Sequence, residues 1–104
     1  MIRSAYTMRL KPGAGSEYKR RHDEIWPELL EALRSAGVLE FSIFLDEGSS
    51  TLFAFRKLSE SNSVASLAHC AVVQKWWAYM ADLMEVNPNN SPVSHALEEV
   101  FHLG

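Results

Sequence analysis

Cysteine, positive charge and long apolar runs are all scarce in this sequence. Cys70 is the single cysteine among 104 residues, which excludes an intramolecular disulfide and a cysteine-rich structural zinc site. No apolar run approaches the roughly 18 residues that span a membrane. The regular alternation near the N-terminus is also unlike the hydrophobic region of a signal peptide. We therefore expect a reduced, cytoplasmic protein without membrane association.

The charge balance and the missing motifs narrow the classes of ligand. The chain has 10 Lys and Arg against 13 Asp and Glu, a net charge of −3, whereas a nucleic-acid-binding domain of this size is usually basic. It has no glycine-rich loop of the kind that holds nucleotide phosphates. Its histidines also lack the short spacings typical of metal ligands. We expect no nucleic-acid partner, no nucleotide cofactor and no metal.

The remaining composition is that of one globular domain, which we assign to residues 1–104. Hydrophobic residues make up 47% and charged residues 22% of the chain, an ordinary globular balance. Hydrophobic periodicity predicts these elements: strands at 2–10, 38–46, 51–58 and 96–103, and helices at 17–36 and 64–84. Ser16 is the expected N-cap of the first helix, and Pro27 predicts a kink or a restart near Trp26. The order β-α-β-β-α-β predicts an α+β, ferredoxin-like fold with an antiparallel sheet and both helices on one face.

Both faces of this predicted sheet carry apolar side chains, although the helices can cover only one. In the second strand Phe41 and Ile43 point to one side and Phe44 to the other, and in the third Phe53 and Phe55 share a side. An uncovered apolar face of this size promotes aggregation. We therefore expect a homodimer in which the open sheet faces of two copies pack together and form an α/β barrel.

Two aromatic clusters have the composition of a binding or catalytic site. Tyr18, His22 and Trp26 recur at i, i+4 and i+8 on one face of the predicted helix. Trp76 and Trp77 diverge by about 100° on the second helix, so at least one of them borders a cavity, an interface or solvent. Imidazole and phenol groups transfer protons, and indole rings stack on sugars or form subunit contacts. Both clusters are also compatible with an ordinary hydrophobic core.

Two polar segments give weaker signals. The loop Asn87–Ser94 is rich in amides, hydroxyls and proline; its side chains could bind a polyol or satisfy their own backbone groups. The basic run Lys19–Arg21 is followed at once by two carboxylates, which favours a solvated helix face over a phosphate site.

The segments Arg20–His22 and Ile25–Leu29, the pair Trp76-Trp77 and the segment Asn90–Ser94 occur together in this chain. Taken jointly, they resemble the bacterial L-rhamnose mutarotase family, and the resemblance runs from end to end. It implies a dimeric α/β barrel of ferredoxin-like subunits. It also implies an isomerase that needs no cofactor and interconverts the α and β anomers of L-rhamnose or a similar deoxy-sugar.

The resemblance implies a role for each of five residues. His22 matches the general acid of the family, Tyr18 matches a sugar-contacting residue, and Trp76 and Trp77 match residues that line the sugar site. The family commonly has a substrate-contacting tyrosine where this sequence has Phe41. The ring is kept but a hydroxyl is lost, which removes one sugar hydrogen bond worth about 0.5–1.5 kcal/mol. The sequence does not identify the general base, for which an acidic side chain and a water molecule are both candidates.

Two other classes of function stay open on the residues alone. Dimeric ferredoxin-like barrels also include cofactor-free monooxygenases and haem-degrading enzymes, which place a histidine and a tryptophan in a cavity. A Soret band on haem addition, or oxygen uptake with a quinol, would indicate that class. A non-catalytic sugar-binding module would instead bind sugar without accelerating anomer exchange.

Overall fold

Four antiparallel strands form one sheet, and the helices lie against one of its faces. The computed structural model describes residues 1–104. Its regular elements are β1 (Ile2–Arg9), α1 (Gly15–Asp23), α2 (Pro27–Ser35), β2 (Val38–Asp46), β3 (Thr51–Leu58), α3 (Ala71–Met80) and β4 (Ser94–Leu97), with 3-10 turns at Val64–His69 and Ala81–Leu83. The strand order is β2-β3-β1-β4, so the predicted α+β, ferredoxin-like arrangement is confirmed. None of these helices combines the length and the apolar character that crossing a bilayer requires.

The strand register determines which side chains meet the helices. Tyr6 of β1 lies opposite Ala54 of β3, which lies opposite Ile43 of β2. In the next row on the same face, Met8 lies opposite Leu52. Met8, Leu52 and Ala54 are buried in the main hydrophobic cluster. The alternation in the sequence therefore places these residues on the face that the helices cover.

The opposite face of the sheet is uncovered in the single chain. Phe44 of β2 lies opposite Phe53 of β3, and these two side chains are 68% and 42% exposed. Leu97 of β4 lies opposite Ala5 on the same face and is 46% exposed. The chain thus presents an apolar surface that its own helices do not reach.

The helix predicted over residues 17–36 is two helices, as Pro27 indicates. α2 begins at Pro27 itself, where the missing backbone N–H costs no helical hydrogen bond. Trp26 is extended, with φ −65° and ψ 131°, because a following proline disfavours the helical conformation. The prediction of a restart near Trp26 is confirmed.

Three predicted boundaries are wrong. α1 starts at Gly15 rather than after Ser16, because the turn before it is already closed at Ala14, whose carbonyl accepts the Tyr18 N–H at 2.9 Å. The second helical region is interrupted at Cys70, which is extended with ψ 126°, and the stretch before it is a 3-10 helix. The last strand is Ser94–Leu97 rather than 96–103, because its pairing with β1 runs no further than Leu97.

Candidate active site

A cavity of about 690 Å³ lies between the helices and the covered face of the sheet, within the range of about 300–1,000 Å³ typical of small-molecule sites. Its wall is mostly apolar, with contributions from α1, α2, α3 and three strands. Tyr18, His22, Phe41 and Trp76 all line it. The cavity therefore brings together four of the five residues that the sequence nominated.

Trp77 is the nominated residue that does not line the cavity. It is half-buried and packs against the hydrophobic core, whereas Trp76 is buried and borders the cavity. The two indoles leave α3 in different directions, as adjacent helical residues must. Only one of the pair is thus available as a wall of this cavity.

His22 is the proton-transfer group of the cavity, and its own helix fixes its tautomer. Its Nδ1 lies 3.0 Å from the backbone oxygen of Tyr18. Because a carbonyl oxygen only accepts, Nδ1 carries the hydrogen and donates it. The second ring nitrogen, Nε2, has no protein partner and is left to meet a ligand.

The surroundings of His22 favour its neutral form. Burial lowers the pKa of the imidazole, and the weaker opposing effects come from the Tyr18 carbonyl and from Asp23. A lowered pKa leaves the ring largely uncharged at neutral pH. Nε2 is then a proton acceptor in the resting site.

Aromatic rings enclose the imidazole. The Tyr18 ring centroid lies 4.3 Å from that of His22, and the Trp76 ring meets the imidazole edge-on at 5.3 Å and 88°. Trp26 in turn meets Trp76 at 5.1 Å and 87°. Because α1 ends before Trp26, this residue is not on the same helix face as Tyr18 and His22, contrary to the sequence prediction. Trp26 nevertheless packs against Trp76, which borders the cavity.

Two tyrosines present phenol groups to the cavity, and only Tyr18 was nominated from the sequence. Burial raises the pKa of Tyr18, and the proximity of Tyr6 raises it further. Burial also raises the pKa of Tyr6, against a smaller lowering by Arg56. Both phenols are therefore protonated at neutral pH, and neither has a hydrogen-bond partner in the chain. The only sequence signal for Tyr6 is its strand alternation with Met8, which does not distinguish a cavity wall from core.

Arg21 fixes the position of α1 relative to the end of α3. Its Nη1 donates to the backbone oxygen of Tyr79 at 2.7 Å and to Oδ1 of Asp82 at 2.8 Å, and its guanidinium lies 4.6 Å from the Tyr79 ring centroid. Its side chain is only 12% exposed. The solvated face predicted for the basic run holds for Lys19 and Arg20, whereas Arg21 joins two elements of the site.

The polar loop contributes little to the cavity, because Pro92 is its only lining residue. In the loop Asn87–Ser94, the Asn87 side chain donates to Ser91 Oγ at 3.0 Å, and the Ser91 N–H donates to Asn89 Oδ1 at 3.0 Å. The loop therefore satisfies many of its own polar groups. Glu47 is the one carboxylate among the lining residues, and no group of three or more His, Cys, Asp or Glu side chains is placed to hold a metal ion.

Comparisons with known proteins assign the chain to a family. The family model described as L-rhamnose mutarotase matches residues 3–103. The chain is 52% identical to an L-rhamnose mutarotase of Bacteroides thetaiotaomicron and 50% identical to one of Listeria monocytogenes, in each case over 99% of both chains. The crystal structure of an L-rhamnose mutarotase from Formosa agariphila superposes with a TM-score of 0.94 at 51% identity, covering 100% of both chains. The chain belongs to the L-rhamnose mutarotase family.

Proposed function

We propose that this chain interconverts the α and β anomers of L-rhamnopyranose in the cavity that contains His22, by general acid–base ring opening and reclosure. One observation carries the proposal beyond the family relationship. The imidazole has one nitrogen held by its own helix and the other free, inside an aromatic-lined cavity of suitable volume. This activity makes the protein an isomerase.

The chemistry needs two proton transfers that a single imidazole can perform. Neutral Nε2 of His22 takes the proton of the anomeric hydroxyl, and the bond between the anomeric carbon and the ring oxygen breaks. The imidazolium then acts as the acid that delivers the proton to the ring oxygen, which yields the open aldehyde. Rotation about the bond between C1 and C2 exposes the other carbonyl face, and the reverse steps close the ring. One group can serve both oxygens because both are bonded to the same carbon, and general acid–base catalysis of this kind supplies about 10²–10⁴-fold.

The other nominated residues have distinct proposed roles. The Tyr18 hydroxyl hydrogen-bonds the sugar, and the ring of Phe41 supplies apolar contact without a hydroxyl. We assign stacking on the pyranose to Trp76 rather than Trp77, because only Trp76 borders the cavity. The apolar C–H face of a pyranose can lie against the indole ring in this way.

The test is whether catalytic amounts of the protein accelerate anomer exchange. Saturation-transfer NMR on equilibrated L-rhamnose measures the exchange rate directly, and the drift in optical rotation of the freshly dissolved sugar gives a second readout. We expect acceleration proportional to enzyme concentration. Saturable binding with no acceleration would contradict the proposal and indicate a sugar-binding module instead.

We also propose that two copies pair through the uncovered sheet face. Phe44, Phe53 and Leu97 form an exposed apolar surface on that face, and Phe101 in the segment after β4 is 79% exposed. Removing such a surface from water is worth about 25 cal/mol per Å². Sedimentation velocity is expected to show a dimer, and Phe44→Asp is expected to shift it toward monomer. A chain that sediments as a monomer at all micromolar concentrations would contradict this proposal.

We also propose that the protein is located in the cytoplasm. The single cysteine, Cys70, is unpaired, which is compatible with a reducing compartment. Cell fractionation with antibody detection would test it, and recovery in an extracytoplasmic fraction would contradict it.

A further inference from the structure

A phenol on the sheet side of the cavity has no role in the chemistry described so far. Tyr6 projects from β1 on the face that the helices cover, and its side chain lines the cavity together with Phe41 of β2. Its hydroxyl has no hydrogen-bond partner in the chain. Arg56 Nε is the only buried side-chain nitrogen or oxygen atom without a partner, so the Tyr6 hydroxyl is accessible from the cavity. It is therefore free to hydrogen-bond a ligand there.

Arg56 restricts the orientation of the Tyr6 ring. Arg56 of β3 lies directly opposite Phe41 in the sheet, and its guanidinium carbon lies 5.0 Å from the Tyr6 ring centroid. The guanidinium also reaches Ser4 Oγ at 3.4 Å, while its Nε is buried without an acceptor. Contact with the face of the ring is a favourable cation–π arrangement. The guanidinium covers one face of the ring and thereby restricts its rotation.

The rings of Tyr6 and Phe41 on the sheet side of the cavity differ by one hydroxyl group, which is the group that can hydrogen-bond a polyol. The resemblance to the family implies a substrate-contacting tyrosine at the position of Phe41, but the Phe41 ring offers no hydroxyl. Tyr6 lies on the same sheet face, one strand beyond β3 and two residues along the register. The phenolic hydroxyl on the sheet side of the cavity therefore comes from β1 rather than from β2.

We propose that Tyr6 is a further substrate-binding residue, whose hydroxyl hydrogen-bonds a ring hydroxyl of the sugar and replaces the contact that Phe41 lacks. The inference rests on the proposed function for the identity of the sugar. It adds a specificity-determining contact from the sheet to those that α1 and α3 provide. The hydroxyls of Tyr18, on α1, and Tyr6, on β1, then both hydrogen-bond the pyranose, and His22 reaches the anomeric centre.

Single-atom substitutions test the contact with little disturbance of the fold. Tyr6→Phe removes only the hydroxyl, and its expected effect is a roughly two- to twelve-fold increase in the Kd for L-rhamnose, measured by titration calorimetry. Ser66→Ala removes a hydroxyl from an exposed residue outside the cavity wall, and is expected to leave the Kd unchanged. The double variant Tyr6→Phe/Phe41→Tyr is expected to recover affinity relative to Tyr6→Phe alone. Unchanged binding by Tyr6→Phe would overturn the inference, as would an equal loss in Ser66→Ala.

Deoxy-sugars identify the partner of the hydroxyl and separate contact from indirect effects. Wild type and Tyr6→Phe are titrated with the 2-, 3- and 4-deoxy analogues of L-rhamnose. If Tyr6 bonds one of these hydroxyls, the penalty of Tyr6→Phe disappears with the analogue that lacks it and persists with the other two. A penalty that persists with all three analogues would show that Tyr6 does not bond the hydroxyl at C2, C3 or C4, and would overturn the proposal.

The two proposals fail in different measurements. Binding by calorimetry does not depend on anomer exchange, so wild-type protein that binds L-rhamnose without accelerating exchange would overturn the proposed function and leave the Tyr6 contact to be judged from its variants. Conversely, if the wild type accelerates anomer exchange and Tyr6→Phe binds L-rhamnose with an unchanged Kd, only the Tyr6 contact is overturned.

Discussion

Replacement of His22 by glutamine removes proton transfer while it keeps a polar side chain of similar length in the cavity. The imidazole is half-buried between Tyr18 and Trp76, so the variant should remain folded, with a loss in unfolding free energy of about 1 kcal/mol. The rate effect should be much larger. General acid–base catalysis contributes about 10²–10⁴-fold, so we expect at least a tenfold loss of catalysed anomer exchange.

The assay is saturation-transfer NMR on L-rhamnose at equilibrium, with the buffer-catalysed rate subtracted. His69→Gln is the matched control, because His69 is exposed and lies outside the cavity wall; its exchange rate should equal that of wild type. Urea unfolding of each variant verifies the fold. An exchange rate for His22→Gln equal to that of wild type, in a variant that unfolds cooperatively, would refute the assignment of proton transfer to this ring.

Three further outcomes follow from the same geometry. Burial lowers the pKa of His22 below its usual 6.5, so catalysed exchange should persist as the pH falls through 6.5 and decline only below it. Unfolding free energy should fall earlier, as the pH drops from 6.5 towards the lowered pKa of the folded state, because the unfolded imidazole takes up its proton first. A catalysed rate that already declines above pH 6.5 would contradict this. Phe41→Tyr should lower the Kd for L-rhamnose by up to about tenfold by restoring a hydroxyl, and weaker binding in calorimetry would oppose that reasoning. Arg21→Met should slow exchange by roughly tenfold, since small misplacements of catalytic groups are costly, whereas Arg20→Met should not; equal rates for both variants would show that the Arg21 contacts do not position α1.

Most of the fold could be predicted from local pattern. Strand alternation placed Met8, Leu52 and Ala54 on one face of the sheet, and the structure buries all three. Pro27 predicted the helix restart, because its effects on φ and on the preceding residue are local. The end of β4 was missed because it depends on where β1 stops offering a partner, which is a property of the tertiary structure.

The site was less accessible from the sequence. His22 and Tyr18 are four residues apart on one helix, so their proximity could be predicted from spacing. The choice between Trp76 and Trp77 could not, because it depends on how α3 is rotated against the sheet. Arg21 looked like its exposed neighbours in the basic run, and only the approach of Asp82 from a distant segment distinguishes it.

The apolar majority of the cavity wall shapes the expected specificity. L-Rhamnose is a 6-deoxy-sugar, so it presents a methyl group where L-mannose has a hydroxymethyl group. The α2 side of the cavity is lined by Ile25, Leu29 and Leu33, and burial of an extra hydroxyl there without a partner would cost about 1–3 kcal/mol. Apolar pockets reject an added hydroxyl by only about 10²-fold, so this wall can favour the deoxy-sugar without excluding its hydroxylated counterpart. Stricter selection among stereoisomers must then come from the few hydrogen-bonding groups of the cavity, which include the phenols of Tyr18 and Tyr6 and the imidazole of His22.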